Sequence, residues 1–236
     1  MEKQKLYETR RHGTPRFPME CFITRTEGIQ HFQFPLHWHR NVEIMQVLRG
    51  TTSVTIGNET FSGEEGDIFF INQEELHRVA SEDDQLVYQT VIFPLQALTF
   101  SESDAAQTYL EQLIQGTQRF PVQLTRKKDC DFLYALLYQI QNAAEQKSSG
   151  YELMVKALLL QMIAQMFCRH MMIPVQHAPS EKSQRLKEML QYIRQHYASS
   201  LTIAVMAEQF HMSEKYFSRY FRIATGQNFT AYLNTV

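Results

Sequence analysis

Residues 201–221, LTIAVMAEQFHMSEKYFSRYF, read as two short helices joined by a tight turn. Leu201, Val205, Ala207 and Phe210 fit one face of a first helix. His211, Met212 and Ser213 then break the pattern. Ser213 is a good start for a second helix, because its hydroxyl accepts one of the backbone N–H groups that a first turn leaves unpaired. Behind it Phe217, Tyr220 and Phe221 recur at helical spacing, and the opposite face carries Glu214, Lys215, Ser218, Arg219 and Arg222. A helix, a turn and a second helix with a basic polar face form a shape that the major groove accepts. Double-stranded DNA is the first partner the chain implies.

Working backwards, residues 183–197 read as a supporting helix with Leu186, Leu190 and Ile193 on one side. Before them, residues 174–182 (PVQHAPSEK) are polar, contain two prolines and read as a linker. Residues 19–93 are strand country. CFITRT, VEIMQVL, TTSVTI, DIFFI and LVYQTVIF are rich in Val, Ile, Phe and Thr, and glycines punctuate them. Many short strands at this spacing predict a sandwich or barrel, with Gly57-Asn58 as a hairpin turn. After Pro94 the period lengthens. Helices are expected over 103–116, 125–146 and 151–171. In the second of these, Phe132, Leu133, Leu136, Leu137 and Ile140 share a side. The third carries Leu153, Ala157, Leu160, Ile163, Ala164 and Phe167, broadened by Leu158, Leu159, Met162 and Met166 into a stripe wide enough to need cover on two sides. Barrel packing and homodimerisation both fit it. Residues 1–17 read as a polar, partly flexible arm.

The formal net charge of −2 advertises no general attraction to nucleic acid, but the charge is uneven. From Ser180 onward seven Lys/Arg face four Asp/Glu, net +3, while the rest has 16 against 21, net −5. A mildly basic tail on an acidic body suits local DNA contact. Cys21, Cys130 and Cys168 are widely spaced without a CxxC, which fits a reducing cytoplasm better than a disulfide framework. The N-terminus has no apolar segment of the secretory type. The longest apolar run, at 158–160, is too short to cross a bilayer, so no membrane partner is expected.

His37, His39 and Glu43 share parity, so an unbulged strand would point two imidazoles and a carboxylate one way. His77, on a neighbouring strand, would complete four groups. Such a set lines a pocket for a small molecule, or it ligates a divalent metal, for which imidazole and carboxylate suit zinc, nickel, manganese or iron. The effector pocket without an obligatory cofactor is the reading adopted; metal on the same four residues stays open. The polar lining favours a hydroxylated or anionic effector. Trp38, of opposite parity, should pack away from the imidazoles.

HWHRNVEIMQVLRG resembles the first cupin motif, with His37, His39, Glu43 and Gly50 at the family's spacing, and GDIFFINQEELHRV resembles the second, with Gly66 and His77. Three positions depart: His31 stands where the first motif has a glycine, and Asn72 and Glu74 stand where the second has a proline and a glycine. The tail LTIAVMAEQFHMSEKYFSRYFRIATGQNFTAYL resembles the start of an AraC-type DNA-binding domain. Ala207, Ser213, Phe217, Phe221, Thr225-Gly226 and Phe229 carry that likeness.

The resemblance implies an AraC-family regulator of α+β class. A cupin-like β-barrel with following helices takes residues 1–173, for sensing and dimerisation. A linker takes 174–182, and an all-α helix-turn-helix domain takes 183–236. It implies a sugar or other small polar metabolite as effector, and RNA polymerase as a further partner. Matched to the family, Lys215, Ser218 and Arg219 are base-reading positions, and Arg222 is placed for phosphate. Family members carry two helix-turn-helix units joined by a long helix. That helix should begin where this sequence stops, at Val236, so the second unit is absent and either the parent protein is longer or this is a truncated form. No catalytic residue is assigned. The alternative is a cupin metalloenzyme, a dioxygenase or isomerase, with a helical tail.

Overall fold

A computed structural model describes residues 7–8, 10–100, 104–126, 130–175, 181–196, 201–225 and 228–233. The β-branched and aromatic runs form β1 (Glu20–Arg25), β2 (Phe32–His37), β3 (Val42–Arg49), β4 (Thr52–Ile56), β5 (Glu59–Gly63), β6 (Ile68–Ile71), β7 (His77–Ser81) and β8 (Val87–Phe93). Gly57-Asn58 is the whole connection between β4 and β5, and Gly57 takes φ 62°, which glycine adopts without steric cost.

The expected barrel is not closed by hydrogen bonds. Two open antiparallel sheets form instead, in the orders β1-β8-β3-β6-β10 and β2-β7-β4-β5, with β10 the short strand Gln123–Leu124. Met45, Val47, Phe69, Ile71 and Tyr88 of the first sheet pack against Val54, Ile56 and Val79 of the second. The alternate residues Ile44, Ile68, Phe70, Val91 and Phe93 face a second core with α1 (Gln107–Ile114), α2 (Asp131–Gln146) and α3 (Tyr151–Cys168). With both faces covered, β6 is an unbroken apolar run, IFFI, all buried.

Several boundaries differ from the sequence expectation. The second helix starts at Asp131 rather than at Thr125. Gln123 and Leu124 pair with Phe69 and Ile68 of β6, and the Arg126 N–H donates to the Asp67 carboxylate at 3.3 Å. α3 ends at Cys168 because His170 turns left-handed (φ 53°) and the Met171 N–H closes back on Met166 O at 2.9 Å, a helix-ending geometry.

The buried face of α3 is Val155, Leu158, Leu159, Met162, Ile163 and Met166, so the residues that broaden the stripe, rather than its first-named line, face the core. Of that line Ile163 is buried, Leu160 and Phe167 are partly so, and Leu153 is 74% exposed. At 18 residues and mean hydropathy 1.3, α3 is long and apolar enough to cross a membrane by length and composition. The short run at 158–160 did not suggest this. A third of the helix is buried, with Leu159, Met162 and Met166 in the core.

The N-terminal segment from Arg10 is more ordered in its contacts than a flexible arm. His12 and Met19 are buried, and Thr14 and Phe17 exchange backbone hydrogen bonds at 2.8 and 3.1 Å. Gly13 (φ 70°) is required there, since a Cβ would lie 2.3 Å from Phe17 O. At the other end, Ile173–Pro174 (β11) pairs with Gln118–Arg119 (β9). Pro174, the first residue of the expected linker, therefore belongs to a ladder.

Residues 9–34 and 38–176 make one compact unit; the helices after residue 177 fall in a second. These are α4 (Glu181–His196), α5 (Ile203–Gln209), α6 (Glu214–Thr225) and α7 (Phe229–Leu233), with α4 beginning two residues before the expected Ser183. Leu186, Met189, Leu190, Ile193, Leu201, Met206, Ala207, Phe217, Phe221, Phe229 and Tyr232 are buried. Val205, expected on the buried face of α5, is 39% exposed, and its neighbour Met206 takes that place.

Candidate functional site

The turn from β2 into β3 carries the chain from one sheet to the other. His37 ends β2, His39 lies in the turn, Glu43 is the second residue of β3 and His77 opens β7. One ligand atom from each of the four lies within 4.8 Å of every other, and all four residues are buried. The sequence named the right residues on the wrong geometry: one continuous strand does not hold 37, 39 and 43. Two sheets bring them together across a bend at residues 40–41. Trp38 is buried, as its parity implied.

Each imidazole is held from behind. His37 Nδ1 faces Pro35 O at 2.9 Å, His39 Nδ1 faces Asn41 O at 3.1 Å, and His77 Nδ1 faces Glu75 O at 2.8 Å. A carbonyl oxygen only accepts, so each Nδ1 carries its hydrogen and Nε2 is left to point forward. His39 Nε2 and His77 Nε2 lie 3.1 and 3.3 Å from the same carboxylate oxygen, Glu43 Oε2. Neutral rings in this tautomer would set lone pairs against that oxygen, so the arrangement asks for positive charge between them: protons on the rings, or a metal ion. Burial pushes the Glu43 carboxyl pKa up, but hydrogen bonds and charge from His39 and His77 outweigh it and hold the group well below the usual carboxylate range. The donor set fits a divalent cation. Ligands about 2.0–2.1 Å from a common centre stand about 3 Å apart, which matches the two short separations. The carbonyl anchors leave no mark in the side-chain pattern, so sequence reasoning missed them. It also missed Glu8, whose Oε2 lies 3.9 Å from His37 Nε2.

Below the four groups the space between the sheets is filled by Met45, Val54, Phe69 and Val79, all buried. The polar lining is confined to one end. Tyr88 borders it; burial, with the Glu43 charge adding, raises its hydroxyl to about 12 despite a hydrogen bond with Thr24, so it stays protonated.

In the C-terminal unit, the Thr202 hydroxyl caps α5 by accepting the Val205 N–H at 3.2 Å, a readable threonine cap that the sequence analysis passed over. His211 turns left-handed (φ 53°) and the Met212 N–H reaches back to Ala207 O at 2.8 Å, which ends α5 and makes the turn. Ser213 then caps α6, accepting the Tyr216 N–H at 3.2 Å as expected. Phe217 and Phe221 anchor α6 from below. Lys215, Arg219 and Arg222 are exposed on it and Ser218 is half-buried. Lys215, Ser218, Arg219 and Arg222 lie at i, i+3, i+4 and i+7, on one face. Tyr216 is 50% exposed and stacks on Tyr220 at 6.2 Å between centroids.

A β-rich unit enclosing a cluster of convergent polar groups, followed in the chain by a capped helix pair with a basic face, defines a ligand-responsive transcription regulator. Residues 22–163 match the AraC-like ligand binding domain, and residues 193–234 match the bacterial regulatory helix-turn-helix proteins of the AraC family. The chain belongs to the AraC family.

It is 24% identical over 220 residues to the "Uncharacterized HTH-type transcriptional regulator YdeC" of Bacillus subtilis strain 168, over 93% of this chain and 75% of that protein. It is 24% identical over 209 residues to the regulator YfiF of the same organism, over 86% of this chain and 64% of that protein. Among solved structures, unsaturated fatty acid-bound ToxT from Vibrio cholerae aligns with a TM-score of 0.43 at 11% identity, over 92% of this chain and 95% of that one.

Proposed function

We propose that this chain senses a small polar effector, a sugar or another hydroxylated or anionic metabolite, at His37, His39, Glu43 and His77, and reads a DNA operator with α6 in the cytoplasm. The observation that carries the DNA half is α6 itself: Ser213 caps it, Phe217 and Phe221 bury one side, and Lys215, Arg219 and Arg222 stand in solvent on another. Arg219 fits a bidentate contact to guanine, and Arg222, one turn nearer the C-terminus, fits a phosphate. Arg219→Ala should lower discrimination for the cognate base pair by ~1–3 kcal/mol. Arg222→Ala should weaken binding to all sequences alike and flatten the salt dependence by about one phosphate contact. Gel shifts with cognate and scrambled operators at two salt concentrations test both. Equal loss on both DNAs for Arg219→Ala would remove it from the base-reading face.

The sensor half rests on the three carbonyl-anchored imidazoles around one carboxylate, an arrangement that favours a bound divalent cation. Such a cation, when bound, would offer coordination positions to an effector's hydroxyl or carboxylate oxygens. His37, His39, Glu43 and His77 would hold it, while the apolar floor of Met45, Phe69 and Val79 limits the depth of the site. The same residues would serve a metal-dependent oxygenase or isomerase. A regulator is preferred because an enzyme has no need of the Ser213-capped basic helix. Effector-dependent gel shifts against turnover assays on the protein separate the two.

Leu153, Ala157, Leu160 and Ala164 lie at i, i+4, i+7 and i+11 on α3; the first two and Ala164 are exposed and Leu160 is partly buried. This seam is a homodimer interface in our reading, and RNA polymerase is a further partner on activation. Since Leu153 is 74% exposed in the single chain, Leu153→Glu should leave the fold intact. Sedimentation should show wild-type protein at twice 27.7 kDa and the variant near 27.7 kDa. A variant that stays fully dimeric would place the interface elsewhere.

A further inference from the structure

We infer that the turn at residues 72–76 couples occupancy of the four-residue site to the β9–β11 ladder, and through that ladder to the segment leading to α4. The inference rests on reading the cluster as a cation site.

The turn touches the site twice. The Glu75 carbonyl holds His77 Nδ1 at 2.8 Å, and the Glu74 N–H donates to the carbonyl of His39 at 2.8 Å. On its other side the turn grips the strand region beyond. Asn72 Oδ1 accepts the Phe120 N–H at 2.9 Å, and Asn72 Nδ2 donates to Phe120 O at 3.2 Å, a two-point clamp on the backbone of one residue. The Glu75 carboxylate ties the two sides together: Oε2 accepts the Asn72 N–H at 2.9 Å, and Oε1 pairs with Arg119.

Arg119 lies in β9, opposite Ile173 of β11, and the Val175 N–H extends that ladder onto Thr117 O at 2.9 Å. Val175 is the last described residue before α4 begins at Glu181. A shift of the His77 ring toward a bound cation must carry the Glu75 peptide with it. Glu75 is fastened to Arg119 and to the residue that clamps Phe120, so β9 receives the displacement.

The clamp belongs to this chain's departures from the cupin pattern. Asn72 and Glu74 stand where the second motif has a proline and a glycine. A proline at 72 would have no N–H for Glu75 and no amide for Phe120. Glu74 holds the left-handed conformation (φ 62°) that the motif leaves to glycine.

Asn72 and Arg119 are thus positioning residues, and their substitution should separate cation binding from its consequence. The experiment is hydrogen–deuterium exchange on the whole chain with and without Zn2+ or Mn2+ alone, alongside elemental analysis. Exchange at 117–120 and 171–175 is measured relative to α2, which corrects for general stabilisation by a bound ion. In wild-type protein the ion should slow exchange in both segments by about tenfold over α2.

In Asn72→Ala, and in Arg119→Gln as a milder second variant, the ion should still bind at about one per chain, with the extra protection at 171–175 gone. Uptake by wild type with no extra protection at 171–175, or protection that persists in both variants, overturns the coupling alone. No uptake by wild type overturns the cation reading and the coupling with it.

Discussion

Alanine at His77 should strip the protein of bound metal. Elemental analysis of wild-type chain purified without chelator should give about one divalent ion per chain, and the His77→Ala variant close to none. His77 is fully buried, its Nδ1 is fixed on Glu75 O, and its Nε2 is one of two imidazole nitrogens on Glu43 Oε2. Loss of a partner behind a metal ligand typically weakens affinity ~10–100-fold, so loss of a ligand itself should exceed about 100-fold. Competition with a chromogenic chelator measures the difference. Asn72 supplies the comparison, since its substitution leaves all four groups in place. A His77→Ala chain that keeps a full equivalent of metal would take His77 out of the site, and a wild-type chain without metal would leave protonated imidazoles as the partners of Glu43.

The second large effect concerns the DNA-reading unit. Phe221 is fully buried, with ring contacts to Phe217 at 5.6 Å, Phe229 at 5.6 Å and Tyr232 at 5.4 Å. Truncating such a phenylalanine costs ~3–5 kcal/mol. A helical unit of this size has little stability to spare. Phe221→Ala should therefore unfold the C-terminal helices near physiological temperature, abolish operator binding, and leave exchange protection in β3 and β8 unchanged. Circular dichroism melts with exchange mapping test this. Arg219→Ala, on the exposed face of the same helix, should melt with the wild type. A Phe221→Ala melt within ~1 kcal/mol of wild type would mean that the aromatic cluster is not what holds α6.

The difference between these two faces of α6 was legible before any coordinates. Ser213, Phe217 and Phe221 fall where a capped, one-sided helix needs them, and Leu186, Leu190 and Ile193 did the same for α4. Short or evenly apolar elements were harder. α5 is seven residues long, under two turns, so Val205 and Met206 compete for the buried face on nearly equal terms. On α3 apolar residues surround the axis, so periodicity could not choose between the Leu153 side and the Val155 side. β10 is two residues long and has no period at all.

Sequence alone determined the order of units, the change from strands to helices near Pro94, the capped helix with a basic face and the identities of the four convergent residues. These depend on local quantities: side-chain type, spacing and caps. Tertiary structure decided how those residues meet. His37 and Glu43 belong to different sheets, and only the bend between β2 and β3, with β7 arriving from elsewhere, sets the His39 and His77 Nε2 atoms on one Glu43 oxygen with a His37 ligand atom within 4.8 Å. The carbonyls that fix the ring tautomers lie two residues from each ring but are backbone atoms, and the Asn72–Phe120 and Glu75–Arg119 contacts join positions more than forty residues apart in the chain. Such contacts follow from the path of the backbone through space, which no spacing along the sequence encodes.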